Sequence, residues 1–352
     1  MFRSYIALLI SLAWIYWHFH GFIGRLFVMC YNQIAIIFAK IHPHVLFRRL
    51  DRTFFKNYYY LCTMKTRTLF KGNSITIFNK SFQSDEDCYK YLANRKWKGD
   101  TFVCKRCGNT HYCKGQLPFA RRCTKCKHDE SPTAGTIFDK IRISLLTAFR
   151  IVFDMCVPEK GMSSSKQAKE YGIRQKTIWE LKRKIQLALN NQDNIILDGT
   201  VLVRDFFVRE KNNSQSRNSV LVAMEILENG ETGKAYGLMT DSFSSEHIQR
   251  FFEQHIKADA KVYVSQDRNY EQYVTNYHIE TIENTFFLTQ SSTHVSDLSK
   301  WLFGVHRHIL PKYIQGYLDE YYFRFNRREN KVMAFDEFIG LLMMPRPNRK
   351  TE

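Results

Sequence analysis

The sequence predicts a multidomain protein: a zinc ribbon, then a helix-turn-helix, then an α/β domain. Three observations carry this. The pairs Cys104-x-x-Cys107 and Cys123-x-x-Cys126 stand with residues 108–122 between them, the spacing of two knuckles that close a tetrahedral zinc site. Residues 160–190 read as a short helix, a glycine turn and a longer, cation-rich helix. From residue 194 onward, apolar strand-like runs alternate with amphipathic helical ones, the order of a mixed sheet with helices on its faces.

The totals agree with folded domains. Of 352 residues, 44% are hydrophobic and 15% aromatic, which excludes a disordered chain. The net charge of +18 and the pI of about 9.5 point to nucleic acid or an anionic membrane surface. Of the nine cysteines, those outside the two pairs show no pairing pattern. They read as reduced thiols of a cytosolic protein.

Residues 1–63 form an apolar extension. Tyr5 to Trp17 and Gly21 to Phe38, the latter interrupted by Arg25, Asn32 and Gln33, each fall short of the roughly 20 apolar residues of a membrane span. Three readings stand: attachment to a membrane through residues 5–38, a small helical extension, or translated upstream sequence. The expectation is the last, with the natural start at Met64.

Residues 64–140 make a lead-in and the ribbon. A helix is expected from Ser84 to Leu92, and short strands with turns at Gly108 and Gly115 from 100 to 137. Lys105, Arg106, Arg121, Arg122, Lys125 and Lys127 surround the knuckles. His111 and Cys113 compete as ligands, but the outer pairs fit better.

Residues 141–192 begin with a helix from Ile143 to Cys156. Ser163 to Ser165 cap a short helix reaching Glu170. Tyr171-Gly172-Ile173 makes the turn, and Lys176 to Leu189 the second helix. Its cations, Lys176, Lys182, Arg183 and Lys184, suit phosphates beside a major groove. The bland alternative is a helical hairpin with a solvated basic face.

Residues 193–345 are the α/β domain and 346–352 a tail. Strands are expected at Asn194 to Arg204, Ser219 to Ile226, Lys234 to Met239 and Lys261 to Ser265. Helices are expected at Ser245 to Ile256 and Lys312 to Arg328. Asp198 interrupts one apolar strand and Asp267 ends another. A carboxylate in such a place is costly without cationic compensation. Two on neighbouring strands can share Mg²⁺ ions and drive displacement at phosphorus. Equally, an aspartate after a strand is a common turn or helix cap.

From about residue 85 to 345 the chain resembles the bacterial insertion-sequence transposases of the ISXO type, which join an amino-terminal zinc ribbon to a DDE-type catalytic domain. The matching stretches are CKRC and CTKC, SPTAGTIF (131–138), GMSSSKQAKEYGIRQKTIW (161–179), LDGT (197–200), KWLFGVH (300–306) and YLDEYYFRFNRR (317–328). The resemblance implies a ribonuclease-H-like fold for the α/β domain, Mg²⁺ or Mn²⁺ beside the structural Zn²⁺, and metal-dependent DNA cleavage and strand transfer. It assigns the catalytic aspartates to Asp198 and Asp267. The third position falls at Asp297, with Lys300 one residue displaced from the lysine that follows it. His294 and Glu283 compete there, and Asp297 reads equally as a helix cap before Leu298. Lys300, Arg324, Arg327 and Arg328 would hold phosphates. The partners implied are double-stranded DNA, as element ends with their terminal repeats and as target, and further copies of the chain assembled on it; no small-molecule substrate is implied. The rival is a catalytically silent zinc-ribbon, helix-turn-helix regulator derived from a transposase.

Overall fold

The computed structural model describes residues 70–157, 161–189, 195–210, 213–240, 244–264, 270, 272–274, 276–283, 285–306 and 309–344. The expectations for residues 1–63, for Asp267 and for the tail lie outside these. Among the described residues no helix is long and apolar enough to cross a membrane.

The first elements among the described residues are two helices, α1 (Ile75–Ser81) and α2 (Asp85–Lys96). The second starts at Ser84, whose side chain accepts from Asp87 N–H while the Asp87 carboxylate accepts from Ser84 N–H, a reciprocal cap. The ribbon follows as β1 (Tyr112–Lys114), β2 (Arg121–Cys123) and β3 (Asp129–Glu130), antiparallel in that order. Next come α3 (Leu145–Cys156), α4 (Ser164–Tyr171) and α5 (Gln175–Leu189). Ser163 caps α4, and Gly172 ends it at φ 65°. That left-handed conformation disfavours a side chain, which is why the turn falls there.

The α/β domain holds β4 (Thr200–Glu210), β5 (Asn213–Ile226), β6 (Thr232–Thr240), α6 (Ser245–His255), β7 (Lys261–Val264) and β8 (His278–Thr281). It closes with α7 (Thr285–Val305), α8 (Pro311–Phe325) and α9 (Lys331–Leu342). The sheet order is β6-β5-β4-β7-β8. β4 pairs antiparallel with β5 and parallel with β7, and β7 pairs parallel with β8. One face packs on α6 through Val201, Val203, Phe251 and Phe252. The other packs on α7 and α8 through Leu202, Leu298, Leu302 and Tyr322. A third core, rich in phenylalanine, joins α1, α2, α3, α5 and α9 through Phe78, Phe82, Phe149 and Phe335.

The expected β4 start at Asn194 shifts to Thr200. Gly199 has φ 68°, which breaks the extended run, and Leu197 makes only an isolated bridge to Ile256. Asp297 is no helix cap, because α7 began twelve residues earlier at Thr285.

Candidate functional site

The four cysteines of the ribbon lie together, as their spacing leads one to expect. The Sγ atoms of Cys104, Cys107, Cys123 and Cys126 lie within 4.8 Å of one another. Cys104 and Cys126 approach to 3.5 Å, Cys107 and Cys123 to 3.6 Å. Four thiolates about 2.3 Å from one tetrahedral ion stand about 3.8 Å apart, so the donor set fits Zn²⁺. The Cys126 N–H and Asn109 Nδ2 both donate to Cys123 Sγ, which favours the thiolate that a metal needs. Phe102 and Trp97 bury the inner side of the knuckles. Cys113 Sγ instead meets the Arg122 carbonyl, and His111 is exposed.

The cations around the ribbon divide. Lys105 pairs with buried Glu130 at 3.1 Å, as does Lys96 at 2.9 Å. Arg121 pairs with Asp100 and lies over the Trp97 and Tyr112 rings. Arg106, Lys125 and Lys127 are exposed and give the ribbon its outward positive face.

The second helix of the hairpin divides likewise. Arg174 and Lys176, at the start of α5, are exposed. Lys182 is not the phosphate contact expected of it. It is buried, donates to the Met162 carbonyl at 2.8 Å and lies 3.7 Å from Glu320. Arg183 sits over the Tyr313 ring and donates to Gln186. Arg324 is corrected in the same way, being buried, bonded to Glu320 at 3.0 Å and to the Met155 carbonyl at 2.7 Å. Burial alone would raise Glu320, but Lys182 and Arg324 outweigh it and hold its carboxyl at about 2. Arg327 pairs with Glu337 at 2.6 Å, and Arg328 donates to the Thr232 and Gly233 carbonyls.

Of the carboxylates, Asp198 lies just before β4. It is exposed, accepts from Gly199 N–H at 2.7 Å and pairs with Lys257 at 3.0 Å. Those two bonds, Lys257 first, hold it below the usual aspartate range. Asp297 is exposed on α7 and pairs with Lys300, four-fifths of a turn along, at 3.3 Å. His294 is buried and bonds the Tyr322 hydroxyl at 3.3 Å; burial, aided by the Arg328 charge, pushes it down to about 4. Glu283 lines a cavity with Tyr263, Glu280, Thr281 and Phe287, where β7 and β8 end.

Strand register separates the first carboxylate from the exit of β7. Val264, its last residue, stands opposite Val203, and Lys261 opposite Thr200. Asp198 precedes Thr200, so about 10 Å of strand lies between that end and the β7 exit. Asp267 is three residues beyond Val264, a reach of at most about 11 Å.

Sequence reasoning missed one group. Arg204, in the middle of β4, donates from Nη1 to Ser292 Oγ at 2.6 Å and Ser291 Oγ at 3.4 Å on α7. Its signal was a cation inside the apolar run Val201-Leu202-Val203-Arg204.

Two family descriptions match the chain. One, the ISXO2-like transposase domain, spans residues 197–326, and the other, the transposase zinc-ribbon domain, spans residues 83–129. Together they take in about half of the sequence. No curated protein matches it.

Proposed function

We propose, for a chain that belongs to the IS1595 family of insertion-sequence transposases, that it binds the terminal repeats of its element and carries out metal-dependent DNA cleavage and strand transfer. The observation that carries this reading is the strand order β6-β5-β4-β7-β8, with its parallel step from β4 to β7, joined to a four-cysteine ribbon with an exposed basic face. In an open α/β sheet, ligands gather where parallel strands end. Zn²⁺ would be held by Cys104, Cys107, Cys123 and Cys126 and would supply folding energy to the ribbon. Arg106, Lys125, Lys127, Arg174 and Lys176 would meet phosphates, and two or more copies would assemble on paired ends.

The catalytic roles are proposals of the same reading. Asp198 and Asp267 would hold Mg²⁺ or Mn²⁺, which when bound would activate the attacking oxygen and stabilise the leaving one. Asp297 would complete the set, with Lys300 oriented by it.

The rival reading is a DNA-binding protein that does not cut. The zinc-loaded protein, incubated with DNA spanning its element's ends, separates the readings. Cleavage that requires added Mg²⁺ and is lost in both Asp198→Ala and Asp267→Ala supports the first. Cleavage that survives Asp198→Ala sinks its metal site. Tight binding by the parent with no product under Mg²⁺ or Mn²⁺ supports the second.

A further inference from the structure

The face of the sheet turned toward α7 carries an arginine at its centre. Arg204 belongs to β4, the middle of five strands, and stands opposite Val222 of β5. Leu202 and Phe206, its neighbours on that face, belong to the α7–α8 core. The stem of Arg204 therefore crosses apolar ground before the guanidinium reaches Ser291 and Ser292.

Both partners are hydroxyls. Lys182, Arg324 and Arg95 each meet a carboxylate, whereas no described carboxylate lies within ion-pair distance of Arg204. A half-buried guanidinium left with full charge suits an external anion. Its planar fork offers two parallel donors, and Nη1 alone is taken by the serines. Ser292 is exposed, so the approach is open to solvent. The position also fits. Val203 is level with Val264, which puts Arg204 one residue past the end of β7, where ligands collect in open α/β sheets.

We propose that Arg204, braced by Ser291 and Ser292, is a seat for a DNA phosphodiester on the α7-facing side of the sheet. The seat rests on the reading that the protein acts on DNA, and it holds whether or not the protein cuts. Glu280 and Glu283 wall the cavity beyond β8 and repel a phosphate there, so the backbone comes in over Ser292.

The test uses the zinc-loaded full chain and a fluorescently labelled duplex, without added divalent metal, across a salt series. Arg204→Gln should weaken binding about tenfold and lower the slope of log K against log salt by about one. Arg204→Lys keeps the charge and loses the fork, and should fall between. Ser292→Asp leaves the arginine in place but offers it a carboxylate; it should match Arg204→Gln, and its exposed site keeps the fold if the strand substitution does not. Parent-like affinity and slope in both Arg204→Gln and Ser292→Asp would overturn the seat while leaving DNA binding intact. A parent protein that fails to bind duplex, or binds without salt dependence, removes the DNA reading and the seat with it.

Discussion

Replacing Glu320 with glutamine removes one charge from a fully buried cluster and changes little else. Glu320 accepts from Arg324 at 3.0 Å and from Gln186 at 2.7 Å, and lies 3.7 Å from Lys182. It ties α8 to α5, and through Arg324 to α3. In Glu320→Gln, two buried cations lose their shared counter-charge. Its carboxyl sits at about 2 against an ordinary 4.5, and at 1.36 kcal/mol per pH unit the native state gains about 3 kcal/mol from that charge at neutral pH. Removing one partner of a buried ion pair costs a similar amount, about 3–5 kcal/mol. The sign follows from the direction: a lowered carboxyl stabilises fully above its unfolded value and loses that contribution as pH falls toward the folded one. Urea unfolding of parent and Glu320→Gln should therefore differ by about 3 kcal/mol at pH 7 and by less than half of that at pH 3. A gap below about 1 kcal/mol at pH 7, or one that does not shrink with acid, would refute the charge argument.

Other outcomes follow from the same contacts. Lys182→Ala should destabilise the fold by about 3 kcal/mol, read by urea unfolding, whereas Lys176→Ala should leave stability unchanged and weaken duplex binding a few-fold with a shallower salt slope. Gly172→Ala, at φ 65° with open space around it, should cost about 1 kcal/mol in thermal or urea unfolding. Cys123→Ser should abolish stoichiometric zinc measured by metal analysis and melt the ribbon, seen as loss of protection from proteolysis there, while Cys113→Ser retains the metal.

The zinc centre was legible because its chemistry is written in local spacing: two residues between thiols force a knuckle whatever the rest of the chain does. The helices of the hairpin were legible from a serine cap and a glycine stop. β4 was harder. It is covered on both faces, so Val201, Leu202 and Val203 are apolar in succession, and alternation does not reveal which side faces which helix. That hid both its true start after Gly199 and the meaning of Arg204. The long α7 was missed because Thr, Ser and Gln crowd its first half, residues with little helix signal of their own; Leu298, Trp301 and Leu302 fix it by packing.

The cations show why net charge overstates a DNA-facing surface. Lys182 follows Ile178 by four residues and precedes Ile185 by three, and both isoleucines are buried. That spacing places Lys182 on the apolar stripe, so its inward direction was readable from the helical period alone. Arg324 stands four residues after Glu320 on α8 and is committed to it in the same way. Lys105 and Arg121 are committed to Glu130 and Asp100. Among the described cations, those left facing solvent include Arg106, Lys125 and Lys127 on the ribbon and Arg174 and Lys176 at the start of α5, with Arg204 half-buried on the sheet. DNA binding should follow these positions, and substitution of the committed cations should change it only as far as the fold loosens.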